Sequence, residues 1–183
     1  MISLIKRLST GKRRRRKLLG GYRRILYSNK KYIRTVNIVG WVLFLLTTGL
    51  YLFTMYPTVA FWDCGEFLAS SRTLQVGHQP GAPLYQLLGS IISLLSFGNV
   101  KFATMLINSL SAIAGGISIM LLFHIFLYLF NKYSEMYVGN IAAAFMASAI
   151  FALTDSFWTC AAEAEVYTMS FLFTTLCIRI ILH

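Results

Sequence analysis

The sequence predicts an all-α, polytopic membrane protein, and three observations carry that expectation. Hydrophobic residues make up 57% of the 183 and charged residues only 13%, against roughly 25% charged in a soluble domain. Several apolar runs approach or exceed the roughly 20 residues that a helix needs to cross a hydrocarbon core of about 30 Å. No stretch alternates polar and apolar residues in the manner of a half-buried strand.

The chain divides near residue 35. Residues 1–35 form a basic arm: of 17 Lys and Arg, only Arg72, Lys101, Lys132 and Arg179 lie beyond Arg34, and no acid precedes Asp63. The net charge of +11 therefore belongs to the arm. Its run Lys12-Arg13-Arg14-Arg15-Arg16-Lys17, followed by Arg23, Arg24, Lys30, Lys31 and Arg34, reads as a positive-inside anchor resting on anionic headgroups. Each such residue contributes about 1 kcal/mol near the surface. Nucleic-acid binding and an organellar transit peptide are competing readings. Because the arm runs straight into an apolar span, the anchor is preferred, with membrane lipids and not nucleic acid as its partner. The charged region is too long for a cleaved signal, and the apolar stretch exceeds the about 7 to 15 residues of a secretory core. A retained signal anchor with a cytoplasmic N-terminus is expected.

Residues 36–183 form the membrane domain. The first span, 36–56, is uncharged. Residues 84–97 are apolar but short, bounded by Pro80 and Pro83 before and Gly98-Asn99 after, and a stretch of this length lies at the interface or re-enters. Residues 102–130, 137–153 and 166–182 are the remaining spans. If 84–97 does not cross, Lys132 and Arg179 fall on the inside with the arm, in agreement with the positive-inside rule. Asp63, Glu66, Asp155, Glu163 and Glu165 then share the outside, where the first external loop holds short juxtamembrane helices. If it crosses, the two acidic groups separate. The first topology is adopted. The chain stops on Ile180-Ile181-Leu182-His183, which reads as the N-terminal part of something larger, or as one subunit completed by a C-terminal partner chain.

Chemistry concentrates in three segments. Asp63 and Glu66 stand three residues apart beside Trp62 and Phe67, a spacing that puts both on one helical face. Partial desolvation raises a carboxyl pKa and suits one of them to general-base work. The same spacing equally fits a capping box, with Asp63 as N-cap and Glu66 as its N3 partner. Gly77-His78-Gln79-Pro80-Gly81-Ala82-Pro83 makes a corner, at which His78, together with Arg72, can meet a phosphate arriving from the lipid side. Glu163 and Glu165 follow Asp155 and Trp158. On a helix, residues two apart diverge by about 200°, so only one of the two glutamates is expected to face a site.

The remaining candidates are weaker. Cys64, Cys160 and Cys177 form no CxxC pair and have no histidine at ligand spacing, so no metal site is expected. His124, inside a long apolar span, reads as a histidine bonded to a neighbouring helix. Gly115-Gly116 reads as close helix packing or a kink.

The order of these motifs, Asp63-x-Gly65-Glu66, then Gly77-His78-x-Pro80-Gly81-x-Pro83, then Glu163-x-Glu165-Val166-Tyr167, resembles a bacterial family of multi-spanning proteins. These are related to transmembrane protein 260, the plexin-type protein O-mannosyltransferases of the GT-C glycosyltransferase superfamily. The similarity runs from about Pro57 to the end of the chain. Gln79 stands where the family pattern has a second proline, and Cys64 where it has a serine.

The resemblance implies a GT-C-like N-terminal module in a bacterial cytoplasmic membrane. It implies a lipid-phosphate-linked sugar, carried on a polyprenyl phosphate, as donor, and a hydroxyl of an exported protein as acceptor. No other cofactor is implied. Asp63 maps onto the acidic residue at the reacting centre, with Glu66 beside it; Arg72 or His78 would stabilise the phosphate, and Glu163 and Glu165 would bind substrate. GT-C enzymes use many more spans than this chain has, so it is expected to be catalytically incomplete alone. A non-catalytic membrane subunit or assembly factor is one alternative. An ion-coupled transporter component using Asp63, Glu66, Asp155 and a later glutamate is the other.

Overall fold

The described residues of this computed structural model are 29–60, 63–78 and 81–182. The arm up to residue 28, together with Phe61, Trp62, Gln79, Pro80 and His183, lies outside them. Asn29 starts α1 (Lys30–Thr54), its side chain accepting the Lys31 N–H at 3.0 Å, and with no proline inside it the helix runs about 38 Å. Lys30, Lys31 and Arg34, read from the sequence as part of the arm, therefore occupy its first turns. Beyond it come α2 (Cys64–Thr73), α3 (Pro83–Ser93) with a 3-10 turn at Leu94–Ser96, α4 (Val100–Tyr133), α5 (Tyr137–Ala152), α6 (Asp155–Ala162) and α7 (Tyr167–Leu182). No strand occurs among the described residues.

Of these, α1 and α4 are long and apolar enough to cross a membrane, and α5 with α6 qualifies as a broken span, bent by 66°. The bend has a local cause. The Thr154 hydroxyl donates to the Phe151 carbonyl at 2.7 Å, a bond that competes with helix continuation, and Asp155 then favours a fresh N-terminus. At 16 residues, α7 reaches only about 24 Å.

Polar contacts between the helices fix their directions. At the start of α1 the Tyr32 hydroxyl accepts from Asn131 Nδ2, and Asn140 Nδ2 donates to Asn131 Oδ1 at 2.8 Å, joining the end of α4 to the start of α5. At the far end of α1 the Tyr51 hydroxyl donates to the Ala152 carbonyl at 2.8 Å, and Trp158 Nε1 to Thr54 Oγ1 at 2.9 Å. The Tyr56 N–H donates to the Ala162 carbonyl at 3.1 Å. So α1 and α5 run parallel, α4 runs against both, and the break between α6 and α7 lies where α1 ends. Around Tyr51, Leu43, Ile119 and Phe123 the core is closed to solvent.

Helices α2 and α3 form a second, smaller body on this end, sharing a core of Cys64, Phe67, Leu68, Tyr85, Ile107, Ala164 and Met169. The inward face of α3 is small and polar: Gln86, Gly89, Ser90 and Ser93 are buried, and a Cβ at Gly89 would come within 2.8 Å of Ser71. Its other face, Leu84, Leu87, Ile91, Leu94 and Leu95, is exposed and apolar, the reverse of a helix in water.

Close approach of α1 to α4 depends on Gly116, where an added Cβ would overlap the Thr48 side chain. The double glycine thus serves packing. Gly116→Ala is expected to destabilise the protein by about 1–3 kcal/mol. Gly49 lies in the same bundle with open space around its Cβ position, so Gly49→Ala should be neutral or stabilising by up to about 1 kcal/mol. Melting of both variants in detergent checks the pair; equal effects would contradict the packing assigned to Gly116.

Candidate active site

Asp63 occupies the N-cap position of α2 without making a side-chain cap bond. Glu66 does not complete a capping box. It reaches across twelve residues to His78, Oε1 accepting the backbone N–H at 2.5 Å and Oε2 bonding ring Nδ1 at 2.7 Å. The box expected from spacing fails because the folded chain offers Glu66 two donors on one residue, and a two-point grip outcompetes a single local cap. Gly77 makes room for the grip: a Cβ there would sit 2.5 Å from Gln86 Nε2 and 3.1 Å from Glu66 Oε1. Gln86 itself donates to Ser70 Oγ at 3.1 Å, tying α3 to α2.

With Nδ1 held, ring Nε2 of His78 points to Asp63, 4.0 Å from Oδ2. The result is a carboxylate–imidazole–carboxylate row in which Glu66 accepts two hydrogen bonds from His78, while the Asp63 carboxylate accepts none among the described residues and lies at ion-pair distance from the ring. The His78 backbone N–H, then its ring, holds the Glu66 carboxyl below its ordinary value, opposite to the rise that desolvation beside Phe67 led us to expect. The hydrogen bond that the ring donates to Glu66, then the charge of Glu66, raises the His78 imidazole, with Asp63 adding to it.

Arg72 is placed elsewhere. It lies in the last turn of α2, about 12 Å along the helix from its start, and its Nη2 donates to the Gly98 carbonyl at 3.4 Å. Asp155 is exposed in the first turn of α6. His124 has no hydrogen-bond partner among the described residues; it packs over Gly40, where a Cβ would stand 3.1 Å from Nε2, so the interhelical bond expected of it does not form.

Glu163 and Glu165 fall in the break between α6 and α7, and the argument from helical divergence does not apply to them. Both are 6% exposed. Burial raises the carboxyl of Glu163. Burial, then the charge of Glu163 and that of Asp63, pushes Glu165 up to about 7, so the two acidic motifs lie within electrostatic reach of each other. The Glu165 backbone is fixed by one hydroxyl: Ser111 Oγ donates to its carbonyl at 3.0 Å and lies 3.2 Å from its N–H. The buried Tyr85 hydroxyl bonds the same oxygen at 3.0 Å. Sequence reasoning missed Ser111 and Tyr85, since neither bears a motif; only Gly77, beside His78, carried a local signal. Among the described residues no group of three or more His, Cys, Asp or Glu is arranged to hold a metal ion.

Residues 63–183 match the model of a family described as the protein O-mannosyl-transferase TMEM260 N-terminal domain. The chain belongs to this family. It is similar to the protein O-mannosyl-transferase tmem260 of Dictyostelium discoideum, 29% identical over 135 residues, which cover 74% of this chain and 16% of that protein. Against TMEM260 of Mus musculus it is 33% identical over 115 residues, covering 62% of this chain and 15% of the relative. Each alignment thus takes in less than a fifth of the relative's length. No solved structure matches. The family match begins at Asp63, the first residue of the carboxylate–imidazole row, and bears out the resemblance seen in the three motifs.

The grip sets a pH window. The raised His78 pKa contributes stability that is complete below its ordinary 6.5 and is lost as pH rises through the folded value. Lowering of Glu66 contributes stability present above 4.5 and lost as pH falls through its folded value. The contact is therefore complete between the two. Glu66→Gln should return the His78 titration to or below 6.5, as followed by NMR of the ring protons. A titration unmoved by the substitution would contradict the geometry.

Proposed function

We propose that this chain is the N-terminal membrane module of a glycosyltransferase moving a sugar, mannose by the names of its relatives, from a polyprenyl-phosphate donor to a hydroxyl of an exported protein. The observation that carries this reading is the exposed Asp63 carboxylate at 4.0 Å from a histidine whose other nitrogen Glu66 holds. A phosphate-linked sugar is already activated, so the enzyme must chiefly position the acceptor and take its proton. Asp63 accepts that proton while the acceptor oxygen attacks the anomeric carbon, and the bond to the phosphate breaks with inversion, the phosphate leaving with the electron pair. His78, its Nδ1 held by Glu66, presents its other ring nitrogen to the leaving phosphate. Glu66 acts as a positioning residue, and Arg72 takes no direct part.

The same reading places the end that bears Asp63 and Glu165 outside. At the opposite end stand Lys30, Lys31, Arg34 and Lys132, beside the Tyr32–Asn131 contact, as a cytoplasmic N-terminus requires. The exposed leucine face of α3 suits a helix lying at the lipid interface, where a lipid-linked donor arrives. Further spans come from the rest of a longer chain or a partner chain, in keeping with the short share of each relative that is covered.

In the full-length protein supplied with polyprenyl-phosphate mannose and an acceptor peptide, Asp63→Asn should lower turnover by about 10² to 10⁴. Its melting temperature should change little, because Asn replaces Asp with little loss at a helix start. Arg72→Gln should stay within a few-fold of the parent, roughly the effect of a surface change. Full turnover in Asp63→Asn would overturn the assignment of the base.

A further inference from the structure

We infer that Glu163 and Glu165 are the residues that read the hydroxyl groups of the donor sugar, accepting hydrogen bonds from them beside Asp63. The inference rests on the donor proposed above and deepens it.

Both side chains are more than nine-tenths buried, and neither has a hydrogen-bond or ion-pair partner among the described residues. None of their carboxyl oxygens is among the fully enclosed polar atoms left without a partner, so the buried side chains keep their tips open to a ligand that supplies donors. Their backbone is not loose: Ser111 fixes Glu165 at both its N–H and its carbonyl, and Tyr85 fixes Ser111. This is the preorganisation that a recognition site needs, with rigid support behind groups left unsatisfied in front. Asp63 stands beside this segment, since its neighbour Cys64 shares a core with Ala164, the residue between the two glutamates, and Glu165 feels its charge.

The chemistry narrows the ligand. A metal ion wants three or more protein ligands in most sites, and no such group exists among the described residues. Arg72 is tied to Gly98, and Lys132 lies at the other end of α4 from Ser111, so neither satisfies the pair. Adjacent sugar hydroxyls each donate one hydrogen bond and accept others. Two carboxyls two residues apart, in the break between α6 and α7, match them, because each can accept from one hydroxyl. With the ring hydroxyls held there, the anomeric carbon can face Asp63.

The test compares two ligands on the full-length protein in detergent: polyprenyl-phosphate mannose and the bare polyprenyl phosphate. The parent protein should prefer the sugar-bearing lipid. Glu163→Gln and Glu165→Gln should each weaken its binding by about tenfold or more, while binding of the bare lipid stays within a factor of about two, which also shows that the variants are folded. Retention of the full sugar preference would overturn the inference while leaving the donor assignment standing. Equal loss of both ligands would also overturn it, by marking the pair as structural. A parent protein that binds the bare lipid as well as the mannosylated one, or binds neither, would overturn the donor reading itself and the inference with it.

Discussion

Two side chains on one face of α4, Asn108 and Ser111, hold together the two breaks in the chain from which the site is built. Asn108 Nδ2 donates to the Tyr56 carbonyl at 2.8 Å, just past the end of α1, and Ser111 bonds the Glu165 backbone between α6 and α7. Both are fully buried. Helix ends leave backbone polar groups without intrahelical partners, and in apolar surroundings those groups must find others. Here a single helix supplies them to both ends at once, three residues apart and therefore on one side. The Tyr56 N–H, donating to the Ala162 carbonyl, closes the triangle. This junction, with the core that Cys64 and Phe67 share with Ala164 and Met169, brings the segment bearing Asp63 against the segment bearing Glu163 and Glu165.

The acids that meet there are used in two opposite ways. Asp63, Glu66 and His78 are substantially exposed, so their charges are moderated by solvent, and the value of the arrangement is geometric: it aims one ring nitrogen at one carboxylate. Glu163 and Glu165 are withdrawn from solvent, and burial pushes their carboxyls upward. Environments that drive neighbouring carboxyls apart mark division of labour in active sites. In the proposed reaction the exposed group would take the proton of an arriving hydroxyl, and the buried pair would hold the hydroxyl-rich donor.

How much of this was legible in the sequence varies with how local its cause is. The long helices were legible because apolar runs fill them; what shifted was the boundary at Lys30, since three charges do not stop a helix that continues beyond the hydrocarbon. The three motifs were legible as chemistry. Their roles were not. The partner of Glu66 lies twelve residues away across a glycine corner, and local spacing pointed to a cap instead. Glu163 and Glu165 were assigned to a helix by their apolar setting, so their divergence was expected and their shared burial was not. Ser111 and Tyr85 are ordinary residues in apolar helices until the fold brings a broken backbone against them. The left-handed Leu74 and Phe97 (φ 52° and 48°), which turn the chain at the ends of α2 and the 3-10 helix, also carry no sequence signal, since glycine is the residue that favours that region.

The central claim is that the two acidic segments share one membrane face. Cysteine accessibility tests it most directly, using single cysteines at Val59, Tyr167 and Met136, all exposed, with Cys160 and Cys177 replaced. Cys64 can stay, because it is buried and its burial pushes the thiol upward, which lowers its reactivity. A membrane-impermeant maleimide added outside sealed cells should label positions 59 and 167 alike and leave 136 unlabelled. Labelling at only one of the first two would separate Asp63 from Glu165 across the membrane and contradict the account.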